Sequence, residues 1–364
     1  MWNQNKFTQM FGLQWPVIQG PFGGGLSSVE LSSTVSNLGG LGSFGAHYMT
    51  PEQIESLAAE FRTKTRKPFA INLWVSDHDP EAEHITPSQF EEFKNSLKPY
   101  YDLLKVPSPT FPKSFGEKFD HQVEAVLKAK PPVFSFVFGI PSKEVLAECR
   151  RQGILTIGTA VTVEEALALD DTDVDAIVVS GFEAGGHRGA FLKRAEESLM
   201  GTFSLIPQTA DRIRKPLIAA GGITDGRGIA AALILGAQGA QIGTAFLACD
   251  ESNANQKHKD LLRSGERRPT QLTRAFSGRL ARGIENKMMR DLAGTENKIA
   301  PYPVQTWLTK DFKTAPAAQG TTDYMALWAS QSYPQVKHTG AATLMNSLIK
   351  ETDLILSTMK GTNL

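Results

Sequence analysis

"PLIAAGGITDGRGIAAALILGAQGAQIGTAFLA", residues 216–248, decides the fold. An apolar run, "PLIAAGG" (216–222), leads into a helix-like segment, "TDGRGIAAALILGAQG". A second apolar run, "GAQIGTAFLA" (239–248), follows. Strands apolar along their whole length, joined through a helix, form the repeating unit of a parallel sheet covered on both faces. The same alternation extends back to the N-terminus. Strands are expected at 16–20, 41–46, 68–75, 132–139, 154–160 and 176–181. Between them, "TPEQIESLAAEF" carries Thr50, Pro51 and Gln53 as a capping box, and "PSKEVLAECRRQG" opens on Pro and Ser and stops at Gly153. Eight strand–helix units in about 250 residues predict an α/β protein, a (β/α)8 TIM barrel. An open doubly wound sheet is the alternative, but no further unit follows the eighth strand.

Two regions interrupt the rhythm. Residues 76–120 are polar, then helical, then proline-rich, and follow the third strand, where barrels extend active-site loops. Residues 251–338 show no strand period and several helix-like pieces. The amphipathic "AATLMNSLIKETDLILSTM" (341–359) supplies an eighth barrel helix. The expected organisation is a barrel of 1–250 and 339–364, with a helical cap or substrate region, 251–338, inserted between strand eight and the C-terminal helix.

The chain has 364 residues, 41% of them apolar, and a formal net charge of zero. Nothing electrostatic points to nucleic acid or an anionic membrane surface. No apolar run approaches the roughly 20 residues of a membrane span, and the N-terminus does not read as a signal peptide. Cys149 and Cys249 form no CxxC and no disulfide framework, so a soluble cytoplasmic protein is expected. His78 and His84 in "DHDPEAEH" match no metal-ligand spacing, and HExxH is absent, so no metal is expected.

The candidate site lies at the strand ends. Gly221 and Gly222, then Gly243 and Thr244, follow the last two strands, where loop amides of barrels bind phosphate. "GPFGGGLS" (20–27) fits either a flat ligand or tight helix packing at Gly20. "GLGSFG" (40–45) has the wrong order of helix and strand for a dinucleotide fingerprint. "SGFEAGGHRG" (180–189) places His187 behind two glycines at the end of strand six, as a proton-transfer group. Arg188 beside it either holds an anionic substrate or pairs with Glu183. Asn72 is an amide inside an apolar strand and needs a partner, from a ligand or from the backbone. His47 ends strand two, as pocket or as core.

Together "WPVIQGPFGGGLSSVELSSTVSNLGGLGSFGA", "PFAINLWV", "EAGGHRG", "AAGGITDGRG", "QIGT" and "FSGRLARGIENKM" resemble the nitronate monooxygenase family of flavin-dependent barrels. The resemblance implies FMN. Its phosphate would rest on Gly222, Gln241, Ile242, Gly243 and Thr244, with Gly20 and Gly221 in the cofactor set and Asn72 and Gly185 near the ring system. His187 matches the family's active-site histidine. The resemblance also implies oxidation of alkyl nitronates, and of nitroalkanes, by O2 to nitrite and a carbonyl compound, without nicotinamide. Three departures stand out: Ser180 replaces a glutamine that contacts the flavin, Phe22 replaces a methionine at the substrate side of the first loop, and His47 replaces a glycine. An FMN-dependent NAD(P)H reductase of enoyl thioesters or quinones, and a non-catalytic flavin-binding protein, remain alternatives. A barrel of the IMP dehydrogenase type needs a cysteine after strand six, which this chain lacks. The expected partners are a nitronate and O2, with no nucleic acid and no membrane; a homodimer is left open.

Overall fold

Eight parallel strands close on themselves. In a computed structural model, which describes residues 1–361, they are Val17–Gln19, Gly42–Gly45, Phe69–Trp74, Val133–Val137, Leu155–Ala160, Ala176–Ser180, Leu217–Ala220 and Gly239–Ile242. Each pairs with its neighbour in sequence, and the first pairs with the eighth through Val17↔Ala240, Ile18↔Gln241 and Gln19↔Ile242. The ring closes between the first and second strands, where Gln19 N–H donates to Leu41 C=O and Leu41 N–H to Val17 C=O, both at 2.9 Å. The expected TIM barrel is therefore present. The eighth strand is shorter than the apolar run suggests, because residues 244–247 turn into a helix.

The helices follow their local signals. Thr50 and Gln53 form a reciprocal capping box at the start of Pro51–Lys64. Ser142 caps Lys143–Gln152, which ends at Gly153 in the left-handed conformation. The C-terminal helix, Ala341–Gly361, packs against Gly226–Ile234 and Val29–Asn37, the position of an eighth barrel helix.

Inside the barrel, inward residues alternate with period two. Ile18, Ala70, Val133, Ile157, Val178 and Ile218 form an apolar plug. A short helix, Lys6–Phe11, seals its amino-terminal end with Phe7 and Phe11, whose rings lie 4.9 Å apart. Two residues further along these same inward lines come Gly20, Asn72, Ser135, Thr159, Ser180 and Ala220. The interior thus changes from apolar to mostly polar or small at the carboxyl ends of the strands.

Residues 251–338 are more mixed than the helical region expected. They hold the helices Gln256–Arg263, Lys287–Leu292 and Val304–Leu308, and also the antiparallel strands Thr270–Thr273 and Ala281–Ile284. The second of these strands pairs with Gly186–His187 of the barrel. This region shares one apolar core with the insertion after the third strand: Phe90, Tyr101 and Leu104 pack with Phe276, Met288, Leu308 and Phe312. Tyr101 donates to Leu308 C=O at 2.9 Å, and Arg279 pairs with Asp79 at 2.7 Å. Two segments distant in sequence thus build one cap.

Phe7 is fully buried. Phe7→Ala is expected to destabilise the protein by about 3–5 kcal/mol in urea unfolding, through lost burial and the cavity left under the barrel. A loss below about 1 kcal/mol would mean that the terminal helix does not seal the barrel.

Candidate functional site

A cavity of about 490 Å³ opens at the carboxyl ends of the strands, the face on which barrels carry their sites. Gly20, Phe22, Asn72, Ser180, Gly185, His187, Gly221, Gly222, Gln241, Gly243 and Thr244 all line it. Among the described residues, no Arg, Lys, Asp or Glu does.

One end is built of glycine turns. Gly221 and Gly222 have φ of 103° and 71°, values that leave no room for a β-carbon without strain. Their turn brings backbone close to any ligand. Thr244 Oγ1 accepts from Ser330 N–H at 2.9 Å, which leaves its hydroxyl proton free to be donated. Ser332 Oγ donates to Gly222 C=O at 2.7 Å. The segment around Trp328–Ser332 is thus a strap that ties the cap to both late glycine turns. It also explains Gly185: a β-carbon there would come within 2.5 Å of the Ala329 carbonyl carbon and 2.6 Å of Ser330 N. The Phe22 ring lies beside Gly243 at this end.

The other end is aromatic. His187 lies edge-on to Trp74, with ring centroids 4.9 Å apart, and 5.2 Å from Trp328. Its Nε2 is 2.8 Å from Ser277 Oγ. Ser277 also donates to Arg279 C=O at 3.1 Å. His47 both lines the cavity and stacks flat on Trp74, 3.9 Å between centroids. Asn72 donates one amide N–H to Ser135 Oγ at 3.0 Å, so its partner is partly internal; its carbonyl oxygen and second N–H make no other bond.

Two candidates fall outside the cavity. Ile242 is 1% exposed and packs in the core between barrel and helices, because period two turns Gln241 and Gly243 inward and Ile242 outward. Arg188 does not line the cavity, which corrects its reading as a substrate contact. Its guanidinium is buried and donates to Ser180 and Gly181 C=O at 2.8 and 2.9 Å and to Ser198 C=O at 2.5 Å. Burial brings it down to about 10, opposed by Glu165 and Glu183, so it stays charged at neutral pH. Nor does it pair with Glu183, whose carboxylate takes the Thr202 N–H and hydroxyl at 2.9 Å and caps the following helix. Arg188 ties together the loop that presents His187.

Sequence reasoning missed Ser277, Trp328, Ser330 and His258. The first three lie on the cap, where no strand or helix period marks a cavity wall. The "FSGR" stretch carries the family resemblance but no local signal for Ser277. His258 lines the cavity, and its Nε2 has no hydrogen-bond partner. Burial holds this imidazole down at about 4, against a hydrogen bond to the Trp328 backbone. Among the described residues, no group of three or more His, Cys, Asp or Glu is placed to hold a metal, and no helix is long and apolar enough to cross a membrane.

Fold and site define an α/β-barrel enzyme with a cofactor-sized cavity lined by two late glycine turns and by His47, His187 and His258. A family model described as nitronate monooxygenase matches residues 4–351. The chain is 40% identical over 362 residues to a protein of Staphylococcus haemolyticus named "Probable nitronate monooxygenase", covering 99% of this chain and all of that one. A Staphylococcus aureus protein of the same name is 38% identical over 358 residues, covering 98% of this chain and 99% of its own length. The solved structure of a nitroalkane oxidase from Streptomyces ansochromogenes superposes with a TM-score of 0.87 at 35% identity, covering 98% of this chain and all of that one. FabK from Thermotoga maritima, at 24% identity and a TM-score of 0.75 over 98% of this chain and 99% of that one, shares the fold. The chain belongs to the nitronate monooxygenase family, a family of flavoenzymes, and is an oxidoreductase.

Two outcomes follow. Arg188→Met leaves three or more backbone carbonyls unpartnered and should cost about 3 kcal/mol or more of unfolding free energy; a stable variant with only a raised KM would restore the substrate role. The second concerns His258, whose folded pKa lies below the unfolded value. Its contribution is fully present above about pH 6.5 and is lost as pH falls towards about 4, where only the unfolded chain takes up the proton. Between about pH 7 and pH 5 this amounts to about 2 kcal/mol. His258→Phe should flatten that part of the urea-unfolding profile.

Proposed function

We propose that the cavity holds FMN and that the enzyme oxidises alkyl nitronates, and more slowly nitroalkanes, with O2 to nitrite and a carbonyl compound. The observation that carries this is the placement of His187 on the same cavity as both glycine turns. The residues fit the cofactor. Backbone N–H groups at Gly222, Gly243 and Thr244, with the Thr244 hydroxyl, suit a phosphate that meets no lysine or arginine. The Asn72 carbonyl and its second N–H suit the polar edge of a flat heteroaromatic ring, as does the Ser180 side chain. Gly20 and Gln241 complete the set. Ile242 contributes backbone only: its carbonyl accepts from Gly20 N–H at 2.9 Å.

A flavin held by these residues would supply the redox chemistry, the transfer of electrons from nitronate to O2. The chain's part is to bind, orient and protect. Trp74, Phe138, Phe276 and Trp328 wall the His187 end with aromatic surface. A nitronate arrives deprotonated, so His187 donates a hydrogen bond to the anion and fixes its orientation. A neutral nitroalkane must first lose its α-proton, and His187 is the side chain in the cavity suited to take it. Cys149 and Cys249 take no part: both are buried, and burial pushes the first thiol up to about 11 and the second to about 12. Two free thiols suit a reducing cytoplasm, and neither nucleic acid nor membrane enters this reading.

The test is oxygen uptake and nitrite release on a short alkyl nitronate, with a parallel NADH arm. His187→Asn should lose about 10²–10⁴ of nitroalkane turnover and far less of nitronate turnover. Oxidation of NADH by the wild type without nitronate turnover would favour the reductase reading. Bound flavin with neither activity would favour simple flavin binding.

A further inference from the structure

His187 stands on a loop with close neighbours on both sides. Before it, a β-carbon at Gly185 would come within 2.5 Å of the Ala329 carbonyl carbon, so the chain passes directly against the cap. After it, a β-carbon at Gly189 would overlap the Val137 side chain, so the chain passes directly against the fourth strand. His187 itself pairs with Ala281, and Arg188 N–H donates to Leu280 C=O at 2.9 Å. The orientation of a histidine in such a slot depends on what fixes the chain that leaves it.

Glu165 fixes that chain. "TVEE" (162–165) reads locally as a capping box, with Glu165 at the third helical position behind Thr162. Thr162 Oγ1 does accept from Glu165 N–H at 3.2 Å, at the start of the helix Val163–Asp170. The carboxylate, however, reaches past its own helix end. One oxygen accepts from Val161 N–H at 2.8 Å, and the other from Phe191 and Leu192 N–H at 2.7 and 3.1 Å. Glu165 is fully buried and does not line the cavity. Three N–H donors on one side chain suit a carboxylate, which accepts through both oxygens and brings no proton into conflict. Among the opposite charges around Arg188, Glu165 also acts most strongly. That guanidinium donates to Val161 C=O at 3.4 Å as well as to Ser180, Gly181 and Ser198, and its Nε is buried without a partner. A guanidinium only partly met in the interior needs a nearby opposite charge. The end of strand five thus holds the chain before His187 through Arg188, and after it through Glu165.

Resting on the function proposed above, we infer that Glu165 is a positioning residue for His187, acting through the backbone of residues 191–192 and through Arg188. When a neutral nitroalkane is deprotonated, its α-C–H bond breaks, the proton goes to the imidazole and the electron pair stays behind as the nitronate. That step needs the imidazole nitrogen in line with one bond, and a displacement of about 1 Å costs about a hundredfold. Orienting an anion that is already deprotonated tolerates more. Glu165 therefore governs nitroalkane turnover and leaves nitronate turnover and flavin binding nearly unchanged.

The experiment compares the flavin-loaded wild type with Glu165→Leu, which removes all three acceptances, and Glu165→Gln, which keeps one accepting oxygen. Oxygen uptake gives kcat and KM for a short nitroalkane and for its nitronate. Flavin absorbance gives cofactor content, and amide hydrogen exchange follows residues 186–192. Glu165→Leu should lower nitroalkane kcat by about a hundredfold with KM within about threefold, and nitronate kcat by less than about threefold. Exchange at 186–192 should quicken by about tenfold or more while the barrel strands keep their protection. Glu165→Gln should fall between, about tenfold down on the nitroalkane alone, and it carries the test if the leucine variant does not fold. Equal losses on the two substrates, or loss of flavin together with both activities, would make Glu165 a support of the fold alone and overturn the inference. Unchanged nitroalkane turnover in both variants overturns it as well. If the wild type turns over neither substrate in air, the proposed function falls. Exchange at 186–192 then still decides the positioning role: quickened exchange upholds it, and unchanged exchange overturns it.

Discussion

Along each barrel strand the inward side chain is fixed two residues at a time, and the site depends on where that line changes character. Val178 belongs to the apolar plug, and Ser180, the next inward residue, lines the cavity. Ala70 is followed by Asn72, and Ile157 by Thr159. A plug of branched and aromatic side chains holds the strands at fixed spacing. The polar layer above it therefore has little freedom to move. The mouth of the barrel is preorganised because its floor is packed.

The cap is fastened to that floor at three kinds of point. Ser330 and Ser332 bond to Thr244 and Gly222. Ala281 and Arg282 pair as a strand with His187 and Gly186. Arg279 reaches across to Asp79 and Ser76, beyond the third barrel strand. The cap thus holds His187 from the outside while Arg188 holds its loop from within. Loops carry reactive groups well only when both sides are fixed in this way.

What the sequence made legible follows from the range of each interaction. Strand period, helix caps and the glycine turns are local, and Thr50, Ser142, Gly153 and Gly221–Gly222 could be read in windows of a few residues. The fusion of 76–120 with 251–338 was not legible, because Tyr101 meets Leu308 across 207 residues. The four-residue strands Thr270–Thr273 and Ala281–Ile284 are too short to show a period. Arg188 was misjudged on residue type: an arginine beside a histidine at a strand end suggests an anion, but backbone carbonyls converging from the end of strand six and the Ser198 loop engage it first. Ile242 shows the opposite limit, since a motif quoted as a block hides the alternation that turns one of its members away.

Charge is arranged around this cavity by a single rule, which the buried arginines make visible. A guanidinium in the interior is tolerable when most of its N–H groups are met. Arg279 meets a carboxylate and two aromatic faces, while Arg188 and Arg282 meet carbonyls, and Arg188 Nε alone of the three is buried without a partner. Leaving any of them facing an apolar cavity would cost desolvation whenever the site stood without ligand. The chain avoids that cost by lining the cavity with groups that are polar but uncharged: glycine amides and threonine at one end, serine, tyrosine and imidazole at the other. Such groups stabilise an anion by aimed donors, which lose little when water replaces it.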